Sequence, residues 1–443
     1  MSSPEIAAVA SSEGAASAPK PFGFWKTWSM TVGVMIGSGV FLLPAVLAPY
    51  GGVSFLGWLL TSGGALLLAW VMARLVRHTD RPGGPYAFAY DAFGDLVGFL
   101  VGWGYWVSVV FGTTAIAVAL VGYLTVFVPA LESSSALQGL VAAGVIAALA
   151  FVNTRGVGVG ASVQLAMTIL KLVPLAGVIV LGFTQGSVEN LPPFNPQDLP
   201  LPEALAATAL LTMWAFIGIE AAAIPSADVE RPQQTIPGAL ILGAVTATVV
   251  YIASTAAVML LLSPELVATS TSPFADAAAQ VASFGRPLVA AGAVLATLGA
   301  LNGMVLLLGQ MPMAVALDGL APRFLARRNS AGAPAAAIVM STALSTLLVV
   351  LNYREGLVAT FGFLIRMSTL GVLGPYAVSA LADIKRSWRD ASPWGLLGLV
   401  ALLYCVVAMT GSGLATLGWG LVMLAAGLPV FFFARRSSRS PSP

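Results

Sequence analysis

Apolar residues in this chain gather in long runs, and polar and charged positions are confined to the short gaps between them. A helix needs about 20 apolar residues to cross roughly 30 Å of hydrocarbon. On that criterion the pattern predicts twelve spans, at roughly 25–48, 54–73, 95–128, 137–153, 162–184, 204–225, 237–262, 285–316, 335–352, 357–382, 393–411 and 413–434. The predicted fold class is an all-α integral membrane protein with twelve transmembrane helices. Gaps of at most about twenty residues leave no room between the spans for a soluble catalytic domain.

Two runs carry an interruption. In "TVGVMIGSGVFLLPAVLAPYGG" (31–52) the centre reads Gly37-Ser38-Gly39, the composition of a turn. In "LTMWAFIGIEAAAIP" Gly218 stands between bulky residues, with Glu220 just beyond. These are the first and sixth spans. That placement suits a 5+5 inverted repeat whose discontinuous first and sixth helices meet at mid-membrane, with two C-terminal helices outside the repeat. The repeats are expected at about 25–184 and 204–382, and the extra spans at 393–434. Unwound backbone in hydrocarbon exposes groups that cost several kcal/mol each if unpaired, so it persists where it lines a cavity. A zwitterion satisfies both kinds of group: its carboxylate takes the free N–H groups and positive dipole end of a half-helix, its ammonium the exposed carbonyls. Glycine also serves close helix packing, so the first break gains its meaning from the second.

Composition agrees with the pattern: 58% of residues are hydrophobic, 9% are charged and mean hydropathy is +0.92. The single cysteine, Cys405, and single histidine, His78, argue against disulfides, thiolate metal clusters and histidine-based catalysis. There is no Walker A or HExxH motif. No metal, cofactor or nucleic-acid partner is expected.

Basic residues set the expected orientation. With both termini cytoplasmic, the inner loops and tails collect Arg74, Arg77, Arg81, Arg155, Arg231, Arg323, Arg327, Arg328, Lys385, Arg386, Arg389 and Arg435. The outer loops hold Arg286 and Arg354 among seven acidic residues. Residues 1–24 read as a disordered cytoplasmic tail without the basic start of a signal peptide, 25–434 as the twelve-span membrane domain and 435–443 as a second cytoplasmic tail. The expected location is the cell's inner (plasma) membrane.

The stretches "GVMIGSGVFLLPAVLAPYGG", "RPGGPYAFAYDAFG", "WAFIGIEAAAIPSADVERPQQTIPGAL" and "LDGLAP" resemble the amino acid–polyamine–organocation superfamily, and within it the bacterial arginine/agmatine antiporter group. The resemblance covers about residues 25–430. It implies that a substrate carboxylate meets Ser38 and Gly39, and an ammonium the carbonyls of Met35, Trp214 and Ile217. It further implies that Trp214 is an aromatic lid, and that Tyr105, Glu220 and Tyr376 form a cytoplasmic-side gate. Aromatic packing is the plain alternative for the tyrosines. A buried acid beside a broken helix is functional by default.

The side-chain pocket departs from the arginine-selective pattern, with Met304 where that group has a stacking tryptophan, and Val34 and Thr113, with Val109 nearby, in place of two asparagines. Loss of a cation–π contact, worth up to about 2 kcal/mol when desolvated, favours a neutral side chain. In "SVQLAMTILKLVPLAGVIV" Lys171 lies roughly 13 Å from the cytoplasmic end of its span, deeper than snorkelling comfortably reaches. The TxxKLxP pattern resembles that of superfamily members whose lysine stands where sodium-coupled relatives hold Na⁺. Lys171 is therefore read as a fixed charge or as the proton carrier. Arg366 is either an outer-surface anchor or a pocket-lining charge.

The leading expectation is thus a sodium-independent secondary transporter for neutral or apolar amino acids, set in a lipid bilayer, with H⁺ coupling and homodimer assembly left as open alternatives. The alternatives are a basic amino acid/polyamine exchanger and, from another class, a non-transporting membrane sensor. An enzyme is not expected.

Overall fold

The first apolar run forms two helices, α1 (Phe24–Met35) and α2 (Ser38–Leu47), parted by Ile36 and Gly37. Ile36 (ψ 88°) and Gly37 (φ −133°, ψ −147°) take the chain out of helical geometry. A methyl group on Gly37 would lie 2.6 Å from the Ala300 side chain, so glycine is what lets the break approach its neighbour. The structure is a computed structural model that describes residues 22–79, 81–131, 134–270, 272–281, 285–352, 357–410 and 414–439.

The chain continues through α3 (Val53–Val76), a short α4 (Pro85–Phe93), α5 (Asp95–Leu124), α6 (Ser135–Thr154) and α7 (Val157–Gln185). Then come α8 (Leu201–Met213), α9 (Pro232–Leu261), the short α10 (Pro264–Thr269) and α11 (Pro273–Val281), α12 (Gly285–Leu317) and α13 (Ala335–Asn352). The last helices are α14 (Leu357–Arg389), α15 (Gly395–Thr410), α16 (Leu414–Ala425) and α17 (Leu428–Arg439). Among the described residues the one non-helical pairing is an isolated bridge from Phe22 to Val229. Among the described residues nine helices are long and apolar enough to cross a membrane, and two shorter ones, Ala335–Leu351 and Gly395–Thr410, are similarly apolar.

Three boundaries differ from the sequence pattern. Buried Phe22, expected in the N-terminal tail, donates to Asp228 O (3.1 Å) and accepts from Glu230 N (2.9 Å). At the other end α14 runs on to Arg389 and α17 to Arg439, since cationic residues are well placed in the last turn of a helix. Short α4, α10 and α11 lie in what the pattern reads as gaps.

α5 and α12 form the centre. α5 packs on α12 and α14, and α12 packs also on α7. The apolar windows of α5 and α12 are 83% and 78% buried, against 22% for α6, so α6 turns most of its surface outward. Polar pairs stitch the centre: Ser108 donates to Ser368 O (2.6 Å), Trp106 Nε1 to Ser341 Oγ (2.9 Å) and Thr212 Oγ1 to Thr61 Oγ1 (2.8 Å). Between membrane helices such bonds contribute roughly 0.6 kcal/mol each.

Candidate substrate site

A helix that stops in mid-membrane leaves its last carbonyls without amide partners. At the end of α1 these are met from α7. Lys171 Nζ donates to Gly33 O at 2.6 Å and to Ile36 O. One and two turns earlier on α7, Thr168 Oγ1 and Gln164 Nε2 reach Ser29 O at 3.3 and 3.4 Å. Lys171 is fully buried, and no carboxylate among the described residues pairs with it. The ammonium sits at the negative end of the α1 dipole, the favourable end for a cation. It does not snorkel.

α8 stops at Met213 for a related reason. A 3-10 turn (Trp214–Phe216) and extended Ile217 lead into Gly218, whose φ of +101° is one that L side chains rarely adopt. A methyl group there would also strike the Val34 side chain. The Tyr251 hydroxyl holds the turn through Ala215 O at 2.7 Å. Two residues past Gly218, buried Glu220 accepts from the hydroxyls of Tyr105 on α5 and Tyr376 on α14. Three distant segments therefore meet at one carboxylate.

Between the two breaks lies a cavity of about 10 Å³, room for roughly one water. Val34, Met35, Trp214, Ile217 and Met304, all singled out in the sequence, line it together. Gly37 of the first break lines it too, as do Ile116 and Ala215, which were not singled out. Thr113 is not in the lining; it is buried on α5 without a hydrogen-bond partner, and Ile116 one turn on takes the position. Ile116 follows Thr113 at helical spacing, which is the signal that points to it. Ser38 and Gly39 open α2, but the surroundings of their side-chain positions lie outside the described residues. Arg366 is exposed on α14 and does not reach the cavity.

At the basic end of the bundle the remaining motifs converge. Arg81 of "RPGGPYAFAY" pairs with Asp318 of "LDGLAP" and with Asp91 (3.1 Å). The Tyr86 hydroxyl donates to Asp318 Oδ2 at 2.7 Å, and burial together with that carboxylate raises its pKa well above the usual phenol value. Gly83 N donates to Ile224 O (2.9 Å), and Arg328 grips Asp228 with two bonds of 2.8 and 3.2 Å. These contacts latch α4 and the loop after α12 to the segment that follows Glu220.

Two unwound helices facing each other across a small cavity, inside a bundle of apolar helices, have the layout of a membrane transporter. The family model described as amino acid permease matches residues 22–442, and the chain belongs to that family. It is similar to the cadaverine/lysine antiporter of Escherichia coli (strain K12), 30% identical over 95% of this chain and 96% of that one. It is also similar to the putative arginine/ornithine antiporter of the same strain, 28% identical over 94% of this chain and 93% of that one, and equally to its namesake in Shigella flexneri.

Proposed function

We propose that the chain is a secondary amino acid exchanger that alternates access to the cavity between the two breaks. In this reading it has twelve spans in a 5+5 inverted arrangement, with both termini cytoplasmic. Ser38 and Gly39 take the substrate carboxylate, the carbonyls of Met35, Trp214 and Ile217 its ammonium, and Trp214 closes over it. Tyr105, Glu220 and Tyr376 form the inner gate. Lys171 holds the place of a coupling sodium ion, and the observation that carries this is its ammonium 2.6 Å from Gly33 O at the break.

For the substrate, a basic amino acid exchanged against a related basic amino acid or diamine is favoured over the neutral substrate that the pocket composition suggests. Near-full-length similarity to proteins named for lysine, cadaverine, arginine and ornithine supports it. Glu220 supplies a carboxylate beside the sixth-span break for a second cationic group. A neutral substrate remains a second reading because Val34, Ile116 and Met304 put no charge in the cavity wall.

Purified protein in liposomes loaded with lysine tests this. Exchange of labelled lysine, arginine or cadaverine that needs no Na⁺ is expected. Leucine transport without lysine exchange would overturn the substrate class, and a Na⁺ requirement would overturn the role of Lys171.

A further inference from the structure

A second cavity, of about 120 Å³, opens at the basic end, remote from the helix breaks. Part of its wall is cationic, with Lys385, Arg386 and Arg389 from the last turns of α14, and His78 just beyond α3 adds an imidazole. The lining also has an apolar part, formed by Leu75, Phe88 and Ala382. The lining contains one carboxylate, Asp91, which already accepts from Thr79 (2.5 Å) and pairs with Arg81 (3.1 Å).

The cations are less well answered. Lys385 Nζ donates to the neutral Ala92 carbonyl (2.6 Å) and sits 5.1 Å from the Phe93 ring centroid. Arg386 Nε is buried without a hydrogen-bond partner, its ion-pair contact with Asp390 being 3.5 Å. Burial, and then the Arg386 charge against that of Asp390, hold His78 below the usual histidine value. The depth is also marked. Trp388 is 79% exposed next to Arg389, and Trp394 pairs with Trp70 at 6.1 Å, an arrangement typical of the membrane–water interface.

We propose that this cavity binds the phosphate of an anionic phospholipid headgroup, with Lys385 and Arg389 as its charge partners and the apolar wall beside the start of the acyl chains. A basic pocket between helices at headgroup depth has the chemistry for it, and free phosphate would share the polar half alone.

Full-length protein in detergent, mixed with equal phosphatidylglycerol and phosphatidylcholine of matched chains and read by native mass spectrometry, tests the proposal. Wild type should retain phosphatidylglycerol preferentially, and each of Lys385→Gln and Arg389→Gln should cut that preference roughly fivefold. Arg323→Gln, at the same end but outside the lining, should leave it unchanged. Equal retention of the two lipids by wild type, or an equal loss in Arg323→Gln, overturns the site. Thermal protection by millimolar inorganic phosphate, lost in the double variant and without any lipid preference, would assign the cavity to a free anion and overturn the lipid. All three positions are surface residues, and a monodisperse elution profile checks that each variant folds.

Discussion

The ammonium of Lys171 lies 2.6 Å from the carbonyl of Gly33 and also donates to that of Ile36, so a cation from α7 caps the interrupted first span. Lys171→Met strands those carbonyls in an apolar setting, at about 1–3 kcal/mol for each buried group left unmet. The thermal midpoint in detergent should fall and exchange should drop at least roughly tenfold. Lys171→Gln, which restores a neutral donor, should recover much of the stability. Exchange by Lys171→Met at the wild-type rate would remove the lysine from the mechanism.

Gly218 carries two constraints at once, a φ of +101° and the Val34 side chain against its α-carbon. Gly218→Ala should destabilise the protein by about 1–3 kcal/mol through backbone strain and contact, and abolish exchange. Adding Val34→Ala removes the clash with the Val34 methyl but leaves the Val34 Cβ at 2.9 Å and the strain, so the double variant should recover part of the midpoint. Full recovery would show that the backbone conformation is unstrained.

Glu220 accepts from two phenols, and each can be withdrawn separately. Tyr105→Phe and Tyr376→Phe should each slow counterflow severalfold, and the pair by less than the product because both act on one carboxylate. Glu220→Gln keeps a hydrogen-bonding group of the same shape while losing the charge. In that variant lysine and cadaverine exchange should fall far more than thermal stability; unchanged counterflow would place the acid outside the transport path.

The Arg81–Asp318 latch is partly exposed, and pairs of that kind contribute about 0–1 kcal/mol. Asp318→Asn should therefore shift the balance of gate states modestly, by about two- to fivefold, and leave the fold intact. In a Cys405→Ser background, Ser226→Cys reports on the opening, since Ser226 bonds the Arg81 carbonyl at 3.3 Å. Faster thiol labelling in the Asp318→Asn variant is expected, and identical rates would mean the latch does not hold the gate.

Much of this was legible in the chain. Run length marks the spans, and the two interruptions stand out because Gly37 and Gly218 sit in otherwise continuous apolar sequence. Proline proved a poorer guide: Pro44, Pro174, Pro237, Pro312 and Pro375 all lie inside helices. Packed neighbours can satisfy the backbone groups that a proline frees. The cavity was half legible. Val34 and Met304 lie on its wall, whereas Thr113 gives way to Ile116 on α5, a difference of helix rotation that spacing alone cannot settle.

The sequence by itself determined that the chain spans a membrane many times, where its helices break and how deep Lys171 lies. Tertiary structure decided which carbonyls that lysine meets, that Tyr105 and Tyr376 converge on Glu220, and that Arg81 latches to Asp318. It also decided that α5 is enclosed and α6 largely exposed. The reason is the solvent. In water a buried face is apolar and an exposed face polar, so periodicity reveals which side packs inward. In hydrocarbon both faces are apolar, that signal vanishes, and neighbours are chosen by shape and by the few polar groups that need a partner.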